Sequence, residues 1–106
     1  MTNEPVILAV DLGTSSMKVA LISISGKVID WDSQPVELIL THDGGAEQSP
    51  EEWWQAFLNV SQRLIKRGLA APGRIMAVCC STQGEGTIPV DHAGNALMNC
   101  VLWMDM

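Results

Sequence analysis

The aliphatic run Val6-Ile7-Leu8-Ala9-Val10 stops at Asp11-Leu12-Gly13-Thr14-Ser15-Ser16 and resumes as Lys18-Val19-Ala20-Leu21-Ile22. A short continuous apolar run, β-branched at three positions, reads as a buried strand. The interruption is built of turn formers, so the chain opens as strand, turn, strand. Two nucleotide-binding arrangements are thereby excluded. A P-loop needs Gly-Lys-Ser/Thr opening a helix, and a dinucleotide fingerprint needs more than the one glycine present here. Ser25-Gly26 supplies the next turn, and Val28 to Leu40 offers one long strand or two short ones, with Pro35 favouring a break or an edge. Two consecutive hairpins are expected, with no strand–helix–strand unit.

His42 to Gln48 reads as a polar, Gly-rich loop, after which the helix signals are strong. Ser49 is a good N-cap, Pro50 suits the first helical position, and Glu52 completes a capping box. Trp53, Phe57, Val60 and Leu64 recur at helical spacing against a polar face of Gln55, Asn59, Gln62, Arg63 and Lys66. Lys66 and Arg67 complement the dipole, and Gly68 can end the helix. Ile75 to Cys80 reads as a second buried strand. Thr87–Val90 and Leu97–Trp103 flank the turn Asp91-His92-Ala93-Gly94-Asn95 as a further hairpin. The expected order is β-β-β-α-β-β-β. One helix covers one face of such a sheet, and a complete domain normally covers both, so the chain reads as an N-terminal fragment.

Composition narrows the function classes. Hydrophobic residues make up 47% of the 106 and charged residues 17%, a globular balance large enough for one domain at most. Residues 1–60 carry 9 acids and 2 bases, and residues 61–106 carry 3 acids and 4 bases. No basic patch is large enough to grip a nucleic-acid backbone. No apolar run approaches a membrane span, and no basic region precedes the first apolar stretch as in a secretory signal. Cys79, Cys80 and Cys100 lack metal-binding spacing and are expected as reduced cysteines in a cytoplasmic core. His42 and His92 are expected in solvent.

Three clusters can carry chemistry. Asp11-Leu12-Gly13-Thr14-Ser15-Ser16-Met17-Lys18 places an acid at a strand end, then a glycine and three hydroxyls. Amide and hydroxyl donors in such a turn suit phosphate oxygens, and Asp11 suits Mg²⁺ held through water. A plain hairpin with Asx and Ser turns accounts for the same residues. Ser81-Thr82-Gln83-Gly84-Glu85-Gly86 ends the second strand, and ligands of helix-flanked sheets sit beyond strand ends. Gln83 and Glu85 there suit the hydroxyls of a small polar substrate, or belong to an ordinary solvated loop. Trp103 can stack on a sugar face with Asp105 on the same side of the strand, or be a core tryptophan beside a surface acid. Trp53 and Trp54 read as core and interface anchors, and Trp31 as half exposed.

Taken together, the segments resemble the N-terminal domain of FGGY-type carbohydrate kinases, with the xylulose kinases nearest. Val10-Asp11-Leu12-Gly13-Thr14-Ser15-Ser16-Met17-Lys18 comes first, then Glu47-Gln48-Ser49-Pro50-Glu51-Glu52-Trp53-Trp54. Ser81-Thr82-Gln83-Gly84, Pro89-Val90-Asp91-His92-Ala93-Gly94-Asn95 and Val101-Leu102-Trp103-Met104-Asp105 follow in the family's order. The resemblance implies an α/β chain forming part of an actin-like ATPase domain of the ribonuclease H type, with a mixed sheet. Residues 1–106 would be the first portion of the first of two such domains. It further implies a cleft holding a sugar and MgATP, and transfer of the γ-phosphoryl group to a sugar hydroxyl. Asp11, Gly13, Thr14, Ser15, Ser16 and Lys18 would serve the ATP phosphates and Mg²⁺, with the metal near Asp11 through water. Gln83, Gly84, Glu85, Trp103 and Asp105 would line the sugar site. The catalytic base is expected downstream, so no catalytic residue lies within this stretch and the fragment alone should not turn over.

Two positions depart from the family pattern. Gly84-Glu85 stand where xylulose kinases usually carry Met-His, which leaves the sugar or polyol open, and Met106 stands where an arginine commonly ends the last motif. Other actin-like ATPases, acetate-kinase-like or hexokinase-like, are the enzymatic alternative, and Gln48-Ser49-Pro50 with Trp53-Trp54 argues against them. A truncated module binding nucleotide or a partner without catalysis is the non-enzymatic one. An uncovered sheet face and a tryptophan-rich helix would favour homo-oligomers.

Overall fold

A computed structural model describes residues 4–104. Strands β1 (Val6–Leu12), β2 (Ser16–Ser23) and β3 (Val28–Pro35) form the two hairpins read from the sequence. Short strands β4 (Ile39–Leu40) and β5 (Ala46–Gln48) precede helix α1 (Pro50–Lys66). Strand β6 (Ile75–Thr82) follows, then β7 (Gly86–Thr87) and β8 (Cys100–Leu102). Two four-stranded sheets result, in the orders β3-β2-β1-β6 and β4-β5-β8-β7. The first is mixed, because β6 runs parallel to β1 while the other pairs are antiparallel.

Period-two alternation decides what the first sheet buries. Val6, Leu8 and Val10 of β1, with Met17, Val19 and Leu21 of β2, face α1 and form the core with its Ala56, Val60 and Leu64. Each of the valine, leucine and methionine side chains among them contributes on the order of 1.5–3 kcal/mol when withdrawn from water. The helix begins as the sequence requires, with Ser49 Oγ accepting from the Glu52 N–H at 3.4 Å and Pro50 in the first turn. The capping box is half made. Glu52 Oε1 accepts from the Glu37 N–H at 2.6 Å and so pins the β3–β4 connection to the helix start. Gly68, at φ 72°, takes the left-handed conformation that ends the helix.

Three expectations are corrected. Residues 46–48, read as loop, form β5, because Glu47 and Gln48 pair with Val101 and Cys100 of β8, more than fifty residues away. β6, read as buried, is an edge strand almost wholly exposed, since α1 packs on β2 and β3 and stops short of it. Cys79 and Cys80 are therefore exposed free thiols, and only Cys100 is buried as expected. The hairpin around residues 91–95 forms, with Val90 bridging Ala96 and β7 pairing β8, but its strands are shorter than read. No helix among the described residues is long and apolar enough to cross a membrane.

Candidate functional site

Both polar turns singled out in the sequence lie at the same end of the first sheet. Parallel register sets Asp11 beside Ser81 and Leu12 beside Thr82, and the Gln83 N–H then donates to the Leu12 carbonyl at 2.7 Å. The Asp11–Ser16 turn and the Gln83–Gly86 loop are thus joined where β1 and β6 end. Across β1 and β2, Asp11 stands directly opposite Lys18, on the sheet face away from α1. Ser81 lies on the same face, in a broad concavity of about 600 Å³ that Trp31 also lines. No ion pair joins Asp11 to Lys18 among the described residues, so both charges remain open to a ligand.

The turn between them is tight. The Gly13 N–H donates to the Ser16 carbonyl at 3.0 Å, and a Cβ at position 13 would meet that same oxygen at 3.3 Å. Glycine suits this close approach, since a larger residue would have to push the Ser16 carbonyl back by a few tenths of an ångström, and the Gly13 N–H closes the turn. Gly13 thus shapes the turn. No hydrogen bond among the described residues uses the Thr14 or Ser15 N–H. Those two amides, with the hydroxyls of Thr14, Ser15 and Ser16, are the donors the turn offers.

On the other side, Gln83 lines a small cleft of about 170 Å³ with Leu12, Trp53, Thr82, Gly84, Gly86, Ile88 and Cys100. Gly86 is pressed against β8, where a Cβ would come within 2.9 Å of Cys100 Sγ. Burial pushes the Cys100 thiol above its ordinary pKa, against a smaller opposing pull from the Thr87 N–H. Glu85 is exposed, and Trp103, at 59% exposure just past β8, is a surface residue and not a core one. Asp105 lies outside the described residues. Trp53 is half-buried as a core anchor, while Trp54 and Trp31 are exposed, Trp54 with its ring centroid 5.5 Å from that of Phe57.

The residue that sequence reasoning missed is Gln48. Fully buried, it accepts from Trp53 Nε1 at 3.2 Å and from Gln83 Nε2 at 2.8 Å, and donates to the Thr14 carbonyl at 2.8 Å. It joins the two turns through side-chain bonds. A polar residue directly before an N-cap gives no local sign of this, because two of its three partners lie 34 and 35 residues away.

As for a metal, the described residues contain no group of three or more acidic, His or Cys side chains able to cage one. A single carboxylate, Asp11, at the mouth of a donor-lined turn fits Mg²⁺. That ion keeps most of its waters and takes the rest of its ligands from phosphates.

The model for the FGGY family of carbohydrate kinases, N-terminal domain, matches residues 6–106. The chain is 32% identical over 106 residues to a glycerol kinase of Nitrosomonas eutropha, covering 99% of the chain and 21% of that protein. It is 33% identical over 102 residues to a xylulose kinase of Staphylococcus epidermidis, covering 96% of the chain and 21% of that protein. A ligand-bound xylulose kinase of Lactobacillus acidophilus superposes with a TM-score of 0.83 at 29% identity, over 95% of this chain and 20% of that one. The chain thus spans about a fifth of the length of the relatives it matches. Its α/β architecture is that of part of an actin-like, ribonuclease H-type domain. On sequence and on structure alike, this chain belongs to the FGGY family of carbohydrate kinases.

Proposed function

We propose that this chain supplies the phosphate turn and part of the sugar pocket of a cytoplasmic enzyme that transfers the γ-phosphoryl group of ATP to a hydroxyl of a sugar or polyol. The observation carrying this reading is the junction of the two polar turns at the paired ends of β1 and β6. Phosphoryl transfer needs its two substrates in line, and positioning with charge neutralisation supplies most of the catalysis. The Thr14 and Ser15 amides and the Thr14, Ser15 and Ser16 hydroxyls hold phosphate oxygens, with Lys18 adding positive charge beside them. Asp11 orients the hydration shell of Mg²⁺, which when bound neutralises charge on the transferring group. Gln83, Gly84, Glu85, Trp103 and Asp105 line the sugar side, with the Trp103 ring offering a flat apolar face.

The general base toward the sugar hydroxyl is assigned to a part of the enzyme outside this stretch, as the family resemblance implies. On this reading residues 1–106 do not turn over alone, and they form the first portion of the first of two actin-like domains. The glycerol and xylulose kinases among the relatives frame the acceptor as a small polyhydroxylated molecule, and Gly84-Glu85 set this chain's choice within that class. The test is a coupled ADP-release assay on the full-length gene product against pentuloses, hexuloses and polyols. Turnover well above the no-sugar background with one acceptor is the expected result. A flat panel from a folded protein that binds MgATP overturns the reading.

A further inference from the structure

Gln48 ends β5, and its side chain is 0% exposed. A primary amide offers one acceptor oxygen and one donor nitrogen, and here both ends are committed. Nε2 donates to the Thr14 carbonyl, while Oε1 accepts from the Trp53 indole and from Gln83 Nε2. The reverse orientation is forbidden, because a carbonyl only accepts and an indole N–H only donates. The fixed Gln48 amide then fixes the next one. Gln83 must turn Nε2 toward Gln48, which leaves Gln83 Oε1 a buried acceptor with no partner among the described residues. Such an atom costs free energy until a donor reaches it.

The other end of Gln48 acts on the phosphate turn. In a trans peptide the carbonyl and the following N–H point in opposite directions, and no cis bond occurs among the described residues. Drawing the Thr14 carbonyl toward Gln48 therefore aims the Ser15 N–H the other way, out of the core.

We infer that Gln48 is a positioning residue that, through one buried amide, aims the Ser15 N–H at a phosphate and presents Gln83 Oε1 to a substrate hydroxyl. The inference rests on the kinase reading above and sharpens it. An acceptor held in this orientation selects a hydroxyl over a carbonyl or carboxylate oxygen at that point of the acceptor. It also makes the geometries of the two turns depend on one side chain.

The test is steady-state kinetics on the full-length gene product carrying Gln48→Met, Gln83→Met or both. Methionine keeps the length and bulk of glutamine but none of its hydrogen bonds. Gln48→Met should raise the KM for the accepted sugar about tenfold, as losing a buried hydrogen-bonding partner does. It should raise the KM for MgATP as well. In the Gln83→Met background it should leave the sugar KM unchanged and still raise that for MgATP. A role confined to stability predicts instead the same factor in both backgrounds. Should Gln48→Met not fold, Trp53→Phe removes one donor that locks the amide, and its smaller effect on the sugar KM should likewise vanish in the Gln83→Met background. Equal factors in both backgrounds, or a folded Gln48→Met protein with both KM values unchanged, overturn the inference while leaving the kinase reading intact. A wild-type protein inactive on every sugar overturns both.

Discussion

At the scale of single residues, the Asp11–Ser16 turn is built by neighbours in the chain, whereas Gln48 is held by Thr14 and Gln83 from far along it. Asp11, Gly13 and the three hydroxyls announce a polar turn because their conformational and hydrogen-bonding preferences act within a few positions. Gln48 carries no such signal, since its function comes from Thr14 and Gln83 folding against it. The cysteines show the same limit. Cys79 and Cys80 sit in an apolar run that resembles a core strand, yet the helix stops short of them and both are exposed. Cys100 is buried and its thiol is held above its ordinary pKa, chiefly by burial. The thiolate is the reactive species, so protection and a raised pKa act in the same direction. A disulfide reagent added to the folded chain should therefore modify Cys79 and Cys80 in a fast phase and Cys100 only as the chain unfolds. Three equally fast thiols would contradict the burial of β8.

Among the elements, α1 was read nearly to the residue, because caps and helical periodicity are written locally. β5 and β8 were not, as each is only three residues long and exists through pairing across the chain. The contact between α1 and β3 is polar at its rim. Arg63 and Arg67 donate to Asp32 at 2.9 and 2.7 Å, and Arg67 also reaches Asp30 at 3.0 Å. The Arg63 hydrogen bond, aided by the Ser33 N–H, holds the Asp32 carboxyl below its ordinary 3.8. A lowered acid pKa in the folded state means the stabilisation is present above that ordinary value. It is lost as pH falls through the folded one. Asp32→Asn should lower the melting temperature near neutral pH, modestly because the arginines are exposed, and the gap to wild type should close as pH falls below 3.8. A gap that stays constant across that range would mean the ion pairs do not hold the helix to β3.

Viewed whole, the molecule is extended along one axis. Its radius of gyration is 15.8 Å, against about 13 Å for a compact domain of this length. The edge strand β6, which α1 leaves uncovered, presents Met76 and Val78 to solvent. From the sequence, one helix was expected to cover only one face of the sheet, and α1, the one α-helix among the described residues, does pack on a single face. What it did not show was which strand would be left uncovered, because that depends on where α1 crosses the sheet. The same layout carries the functional claim: β1 and β6 run parallel and end together, so their turns meet at one edge of the molecule. On the proposed function, Asp11 at that edge is the carboxylate that orients Mg²⁺ beside the phosphates. The most direct measurement is sugar-dependent ADP release by the full-length gene product, wild type beside Asp11→Asn. Turnover by the wild type that falls about 100-fold in kcat in the variant, with the sugar KM nearly unchanged, is the predicted result. Equal kcat in the two proteins would remove Asp11 from the mechanism and contradict the assignment of this turn to the phosphates.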